Sequence, residues 1–420
     1  MYVLSQSTDH VYGRAVAAPQ QAQALKEGNV VFEPNFDASE YDARLAKTRT
    51  AMAESGFDVL VVGDPANINY LTGYNAWSFY TPQVLIIPAA GDLVFYTREV
   101  DASGAVMTTR LSESQVRAFP ERYVHQPDCH PMDWIAADMM EKDLGRGTVA
   151  VEMDTAYYTV RAHKSLENGL PGATIVSAQE LVNWVRSVKS DLEIAKMRTA
   201  GKIMTNVMTT ALDFIEPGVR QCDAVAEIYA TAVRGLPDAG GDFTAIVPMI
   251  PTGPGTGIPH LTWSDKPFKQ GEATVLELGA CYERYHSPLA RTIFLGQPPE
   301  RLVSTADIVS EGMEAALAAV RPGVLAEDVE RAWRDVISRY GLTKATRIGY
   351  SIGVGYPPDW GERTISLRPG DKTALVPNMT FHMILGMWMD GWGYELSESF
   401  VVTETGHERF ASVPWGLTVK

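Results

Sequence analysis

Apolar positions along this chain alternate between helical spacing and short unbroken runs, and the alternation persists over most of its length. From Ser39 to Gly56, Tyr41, Leu45, Thr48 and Met52 recur every three or four residues, with a hydroxyl residue to cap one end and a glycine at the other; the spacing predicts a helix. Phe57 to Gly63 then reads as a strand buried on both faces. VLIIP (Val84 to Pro88) and LVFYT (Leu93 to Thr97) read as further strands around a turn at Ala90 to Asp92. TVAVEMD (Thr148 to Asp154) and the segment Ala173 to Ser190 continue the alternation, which predicts an α/β domain. A charged, small-residue junction at Ser187 to Asp191 ends it. Beyond it Ile194, Met197, Ala200, Ile203, Val207 and Ala211 mark one buried face of a long helix, Leu192 to Phe214, stopped by Glu216-Pro217-Gly218. The second domain then reads as helix, helix, sheet. Val275 to Gly296 is strand-rich, and the final third alternates strands with turns such as Arg368 to Lys372.

A length of 420 residues exceeds what one hydrophobic core serves, so two domains are expected: a polar N-terminal arm over 1–30, an α/β domain over 31–188 and a second domain over 189–420. No run of about 18 apolar residues spans a bilayer, and no membrane partner is expected. The net charge of −15, with no Lys/Arg block, argues against nucleic acid and suits a cationic or zwitterionic small molecule. The first residues lack the basic and apolar regions of a signal peptide, so a cytoplasmic location is expected. Cys129, Cys222 and Cys281 are odd in number and widely spaced, which predicts free thiols and no cysteine metal site.

Two glycine patterns invite a nucleotide reading and fail it. Thr252 to Gly257 lacks the Lys-Ser/Thr that completes a P-loop. Gly349 to Gly355 lacks the following long helix and acidic residue of a dinucleotide site. The triplet Asn378-Met379-Thr380 matches a glycosylation acceptor that a cytoplasmic chain would not use.

The order and spacing of PHLTW (Pro259 to Trp263), VLELGACYERYHSPLART (Val275 to Thr292), GYSIGVGYPPDWGER (Gly349 to Arg363), NMTFHMI and YELSESFVVTETG resemble the creatinase/aminopeptidase P family. The resemblance covers almost the whole chain. It implies an α/β N-terminal domain followed by an α+β pita-bread catalytic domain, in a homodimer. Peptidases of that family hold two metals with two Asp, one His and two Glu. The matching positions here carry Glu277, Pro288, Tyr350, Ile384, and Ser397 or Glu398. Proline and isoleucine offer no donor, so no metal and no other cofactor is expected.

Loss of those ligands leaves a non-catalytic binding protein or a metal-independent hydrolase, and the retained titratable groups favour the hydrolase. An amide must be polarised by a Lewis acid, whereas a protonated amidine or guanidinium already carries positive charge on its central carbon. Such a substrate wants a carboxylate to bind and attack it, and a histidine to move protons. Glu277 and His260 are the candidate catalytic pair. Within the family the stretches Leu71 to Gln83 and Pro259 to Phe268, with those around Glu277 and Trp360, are most similar to its ectoine-hydrolysing branch. A creatinase-like guanidine hydrolase is the alternative. That resemblance implies opening of a cyclic amidine to an N-acetyl-diaminobutyrate, with Glu277 as nucleophile or as general base, and a deacetylase acting downstream. Candidate substrate-binding residues are Tyr74 and Trp77, as an aromatic lid supplied across a dimer, with Tyr350, Trp360, Arg363 for the substrate carboxylate, and Glu398 as a second carboxylate.

Overall fold

The first helix shows how far spacing alone carries. In the computed structural model, which describes residues 35–420, α1 spans Ala38–Ser55 and ends on Gly56 in the left-handed region, where a residue without Cβ is unstrained. Its buried face is Tyr41, Arg44, Thr48 and Met52, so an arginine stands where Leu45 was expected. The Arg44 guanidinium lies 4.4 Å from both the Phe36 and Tyr70 rings and donates to the Tyr70 carbonyl at 2.9 Å, which makes its burial tolerable. The expected N-terminal arm lies outside the described residues.

The described chain forms two compact units that divide after Gln179 rather than at the charged junction after Val188. The first unit holds a six-stranded sheet with the order β4-β3-β2-β1-β5-β6, where β1 is Val59–Val62, β2 Val84–Pro88, β3 Val94–Arg98, β4 Val116–Phe119, β5 Gly147–Val151 and β6 Ala173–Ser177. Helices α2 (Pro65–Thr72), α3 (Ala102–Thr108), α4 (Pro131–Glu141) and α5 (Val160–Gly169) complete it. Pairing is parallel for β1 with β5 and antiparallel for β1 with β2, as a mixed α/β sheet requires.

The second unit begins with α6 (Leu181–Val185), and its own bonds explain the earlier division. Asn183 donates to the Glu362 carbonyl at 2.9 Å, Arg186 to the Val354 carbonyl at 2.6 Å, and Lys189 pairs with the buried Glu362 carboxylate at 2.6 Å. Helix α7 (Asp191–Phe214) opens on a Ser190/Glu193 capping box and buries all six expected positions. It is followed by α8 (Gln221–Arg234), the strands β7 (Ala273–Tyr282) and β8 (Tyr285–Phe294), and two helices that strand-rich reading of this half did not anticipate, α9 (Glu300–Ala319) and α10 (Ala326–Ser338). The remaining strands are β9 (Gly349–Tyr356), β10 (Asp359–Leu367), β11 (Thr380–Met389), β12 (Trp392–Val402), β13 (His407–Arg409) and β14 (Thr418–Val419). They form one sheet with the path β13-β12-β11-β9-β8-β14; β10 adds to β9 and β7 to β8.

The three cysteines are free, as expected, and among the described residues no helix is long and apolar enough to cross a membrane.

Candidate active site

Period-two alternation sorts the strands of the second unit into two faces. On β7 and β8, Leu276, Leu278, Ala280, Leu289 and Ile293 share a core with residues of α7 and α8. On β11 and β12, Phe381, Met383, Leu385, Leu396 and Phe400 share a core with residues of α9 and α10. The alternate positions therefore look the other way. They include Glu277 and Gly279 on β7, Glu395 and Ser397 on β12, His382 on β11 and Tyr350 on β9, and register brings them together: Glu277 opposite Ala290, and His382 opposite Tyr350.

β8 and β12 lie side by side through hydroxyl bridges where a backbone ladder would otherwise stand. Thr292 Oγ1 donates to the Glu395 carbonyl and accepts from its N–H, both at 2.9 Å. The Ala290 N–H donates to Ser397 Oγ at 2.6 Å, and Ser399 Oγ donates to the Pro288 carbonyl at 2.6 Å. These contacts step evenly along both strands in antiparallel register, curling the sheet so that Glu277, Ala290 and Ser397 fall in one row across it.

Glu277 is 7% exposed, and among the described residues its carboxyl makes no hydrogen bond or ion pair. Burial first, and then the charge of Glu395, push it well above the ordinary carboxylate value. Glu395 is 3% exposed, its Oε1 has no partner, and burial holds it at about 7 despite the opposing pull of Lys344. Burial in turn brings Lys344 down to about 8; its Nζ donates to the Gly386 carbonyl at 2.5 Å and lies 4.0 Å from the Trp388 ring centre. Two enclosed carboxyls with one partly neutralising lysine resist holding two charges at once, an arrangement that a bound cation would relieve.

The wall beside Glu277 is aromatic. Trp360 is fully buried, its ring standing where a Cβ on Gly279 would meet it at 2.7 Å, so the glycine exists to admit the indole. The indole N–H donates to Tyr350 Oη at 3.0 Å; Tyr350 Oη is 3.1 Å from His382 Nδ1, and His382 Nε2 is 2.7 Å from Ser397 Oγ. Burial, with help from the Glu277 charge, raises the Tyr350 phenol above its ordinary value; burial and Arg347 lower His382 to about 3. Arg347 is solvent-exposed, with its guanidinium 4.5 Å from the Tyr350 ring centre, and is the cation set against this wall.

The family's metal positions test poorly against this geometry. Pro288 and Ile384 offer no donor, Tyr350 is engaged by Trp360 and His382, and the ambiguity between Ser397 and Glu398 resolves to Ser397, which faces the site. Among the described residues no group of three or more His, Cys, Asp or Glu is placed to hold a metal ion. The side chains present do not fit a dinuclear metal.

The other expected site residues fall as follows. His260 is exposed in the left-handed region, on a loop whose Leu261 carbonyl accepts from Ile250 at 3.1 Å; the neighbouring Met249 pairs through its backbone with Glu277. Arg363 is exposed within the bulge of β10, also at positive φ. Glu398 lies on the helix-facing side of β12, where its Oε1 accepts from Arg291 and Trp415, each at 2.6 Å, so the structure does not bring it to the site face. Tyr74 is buried in the first unit, its hydroxyl accepting from Gln83 and its ring 4.8 Å from Phe95. Trp77 is half-buried there, 4.8 Å from the largely exposed Phe79 ring. Sequence reading did not pick out Glu395, Lys344, Arg347, His382 or the hydroxyl role of Ser397. Strand parity was the available signal for Glu395 and Ser397, which share a face that Glu398 does not.

Comparison with known proteins agrees with this architecture. Residues 44–188 match the Creatinase/Prolidase N-terminal domain, and residues 195–404 match Metallopeptidase family M24. The chain is 44% identical to the ectoine hydrolase of Halomonas elongata, over 92% of its own length and 98% of that protein's. Among solved structures, dipeptidase PepE of Mycobacterium ulcerans superposes with a TM-score of 0.76 at 26% identity, covering 91% of this chain and 99% of that one. The prolidase of Thermococcus sibiricus superposes at 0.79 and 21% identity, covering 90% and 99%, and shares the fold. With both domain models matched in order and the pita-bread sheet in place, the chain belongs to the creatinase/M24 metallopeptidase family.

Proposed function

We propose that this chain is a metal-independent hydrolase that opens the cyclic amidine ring of ectoine, and of hydroxyectoine, to N-acetyl-L-2,4-diaminobutyrate. The observation that carries the reading is the enclosed Glu277/Glu395 pair: Glu277 stands at one of the family's metal-ligand positions, while Pro288 and Ile384 at two others offer no donor. A site built to bind an amidinium needs negative charge that is not already neutralised, and a Lewis acid there would repel the substrate. The 44% identity to the Halomonas elongata enzyme supports the choice of ectoine.

In this mechanism the arriving amidinium stabilises the ionised form of Glu277, whose carboxylate adds to the amidinium carbon. The carbon–nitrogen π pair moves onto the ring nitrogens. The ring C–N bond then breaks with a proton from His260, leaving an acyl-type adduct on Glu277. Water hydrolyses that adduct, restoring the carboxylate and leaving one nitrogen acetylated and the other a free amine. Glu395 carries the compensating negative charge, the Trp360 and Tyr350 faces pack on the cationic ring, and Arg347 at the rim pairs with the substrate carboxylate, a role its planar fork suits better here than that of the bulge residue Arg363. We read the enzyme as a cytoplasmic homodimer in which Trp77, beside Phe79, offers the aromatic lid. Its acetylated product is the natural substrate of a deacetylase.

The test is to incubate chelator-treated protein with ectoine and follow ring opening, with Glu277→Gln and Glu277→Asp in parallel. Turnover that survives chelation and disappears in Glu277→Gln supports the reading. Loss of turnover on chelation, restored by metal, overturns metal independence, and full activity in Glu277→Gln removes that residue from its role. A substrate-mass adduct on the Glu277 peptide after acid quench supports the covalent step.

A further inference from the structure

A hydrogen-bond chain runs behind the Tyr350 hydroxyl, and its two ends fix its direction. At one end the Ala290 N–H donates to Ser397 Oγ at 2.6 Å; at the other the Trp360 indole N–H donates to Tyr350 Oη at 3.0 Å. Backbone and indole N–H groups only donate, so neither end can reverse. Between them lie Ser397 Oγ to His382 Nε2 at 2.7 Å and His382 Nδ1 to Tyr350 Oη at 3.1 Å. Burial keeps the His382 imidazole neutral, with one hydrogen to place, and the two hydroxyls add one each. Three hydrogens serve two internal contacts, so one must leave the chain. It cannot leave at Ser397, which is fully buried and has no further acceptor among the described residues. It leaves at Tyr350, whose environment is already felt by the Glu277 charge.

We propose that Ser397 and His382 are positioning residues that fix Tyr350 as a hydrogen-bond donor aimed at the substrate atom that gains electron density when Glu277 adds; the proposal rests on the hydrolase reading above. Ser397 donates to His382 Nε2, His382 Nδ1–H donates to Tyr350 Oη, and both lone pairs of that oxygen are occupied. Its hydrogen then points into the site before substrate arrives. Tyr350 and Ser397 stand at two of the family's metal-ligand positions, and a donor chain there replaces part of the polarisation a metal supplies.

The direction can be read without substrate. In protein carrying 15N-labelled histidine, long-range nitrogen–proton correlation reports which nitrogen of each imidazole holds the hydrogen, and His382 is assigned by the loss of its signal in His382→Phe. The expected result is a neutral ring protonated on Nδ1, with that preference lost in Ser397→Ala; a hydrogen on Nε2 in the unaltered chain overturns the proposal. With ectoine, Tyr350→Phe should lower kcat by about 100-fold at nearly constant KM, the cost of one preorganised donor. Ser397→Ala and His382→Phe should follow in the same direction. His382→Asn, whose amide nitrogen can occupy the Nδ1 position, should recover activity relative to His382→Phe. Unchanged kcat in Ser397→Ala and His382→Phe beside a defective Tyr350→Phe also overturns it. An unaltered chain inactive on ectoine overturns the substrate reading, and the nitrogen measurement still decides the direction of the chain.

Discussion

Replacing Glu395 by glutamine should make the protein more stable at alkaline pH while making it a poorer enzyme. Glu395 is held at about 7 against an ordinary value of 4.5, by burial first and against the pull of Lys344. A carboxyl raised in this way binds its proton more tightly in the folded chain than in the unfolded one. Its contribution is therefore fully present below pH 4.5 and is lost as pH rises through about 7. The difference between the two values converts to about 3 kcal/mol at pH 9. Glutamine keeps the shape and cannot ionise, so the variant escapes that cost. Lys344, at about 8, is mostly neutral at pH 9 and loses little when its neighbour changes. Glu277 adds to the gain rather than offsetting it, because it ionises more readily beside a neutral side chain. The net gain should be about 3 kcal/mol, which for a unit of this size raises Tm by roughly 2–4 °C per kcal/mol. Thermal melts of both proteins at pH 5 and pH 9 test it: the curves should nearly coincide at pH 5 and separate at pH 9, with the variant higher. Ectoine turnover measured on the same samples should fall in the variant. An equal offset at both pH values, or a variant less stable at pH 9, would refute the assignment of an uncompensated charge to Glu395.

Arg291→Leu should destabilise the chain by about 3 kcal/mol in chemical unfolding, because it removes the guanidinium paired with the buried Glu398 carboxylate at 2.6 Å and leaves it the Trp415 N–H and the more distant Arg409. Glu398→Gln should cost much less ectoine turnover than Glu395→Gln, since the two carboxyls lie on opposite faces of β12; steady-state kinetics at one pH compare them. Gly279→Ala forces a methyl into the Trp360 ring at 2.7 Å. Overpacking of this kind costs about 1–3 kcal/mol, visible in a melt, and it should disturb the Tyr350 contact enough to lower kcat. Arg347→Ala should raise KM for ectoine by roughly 10-fold, the worth of one rim charge-assisted bond, with kcat little altered.

The two-domain α/β and pita-bread organisation, the long helix from Asp191 to Phe214 and the free thiols were all legible in the sequence. The pita-bread fold was legible only through resemblance to the family; the α/β alternation, the long helix and the thiols depend on local periodicity and residue type, which the chain carries regardless of its partners. The absence of donors at Pro288 and Ile384 was legible for the same reason: side-chain chemistry does not wait on folding. Which carboxylate joins Glu277 was not. Glu395 and Glu398 are three residues apart on one strand and equally acidic, and only the face that packs on α9 and α10 decides that Glu398 is buried against Arg291 while Glu395 turns to the site. The donor chain through Ser397 and His382 was likewise invisible, because it forms across β8, β9, β10, β11 and β12, from segments separated by up to 107 positions. Sequence by itself placed Glu277 among family metal positions at which Pro288 and Ile384 offer no donor. The curl of the sheet decided its company, because the proximity of buried groups, and with it their shared charge, arises only when strands far apart in the chain are brought into register.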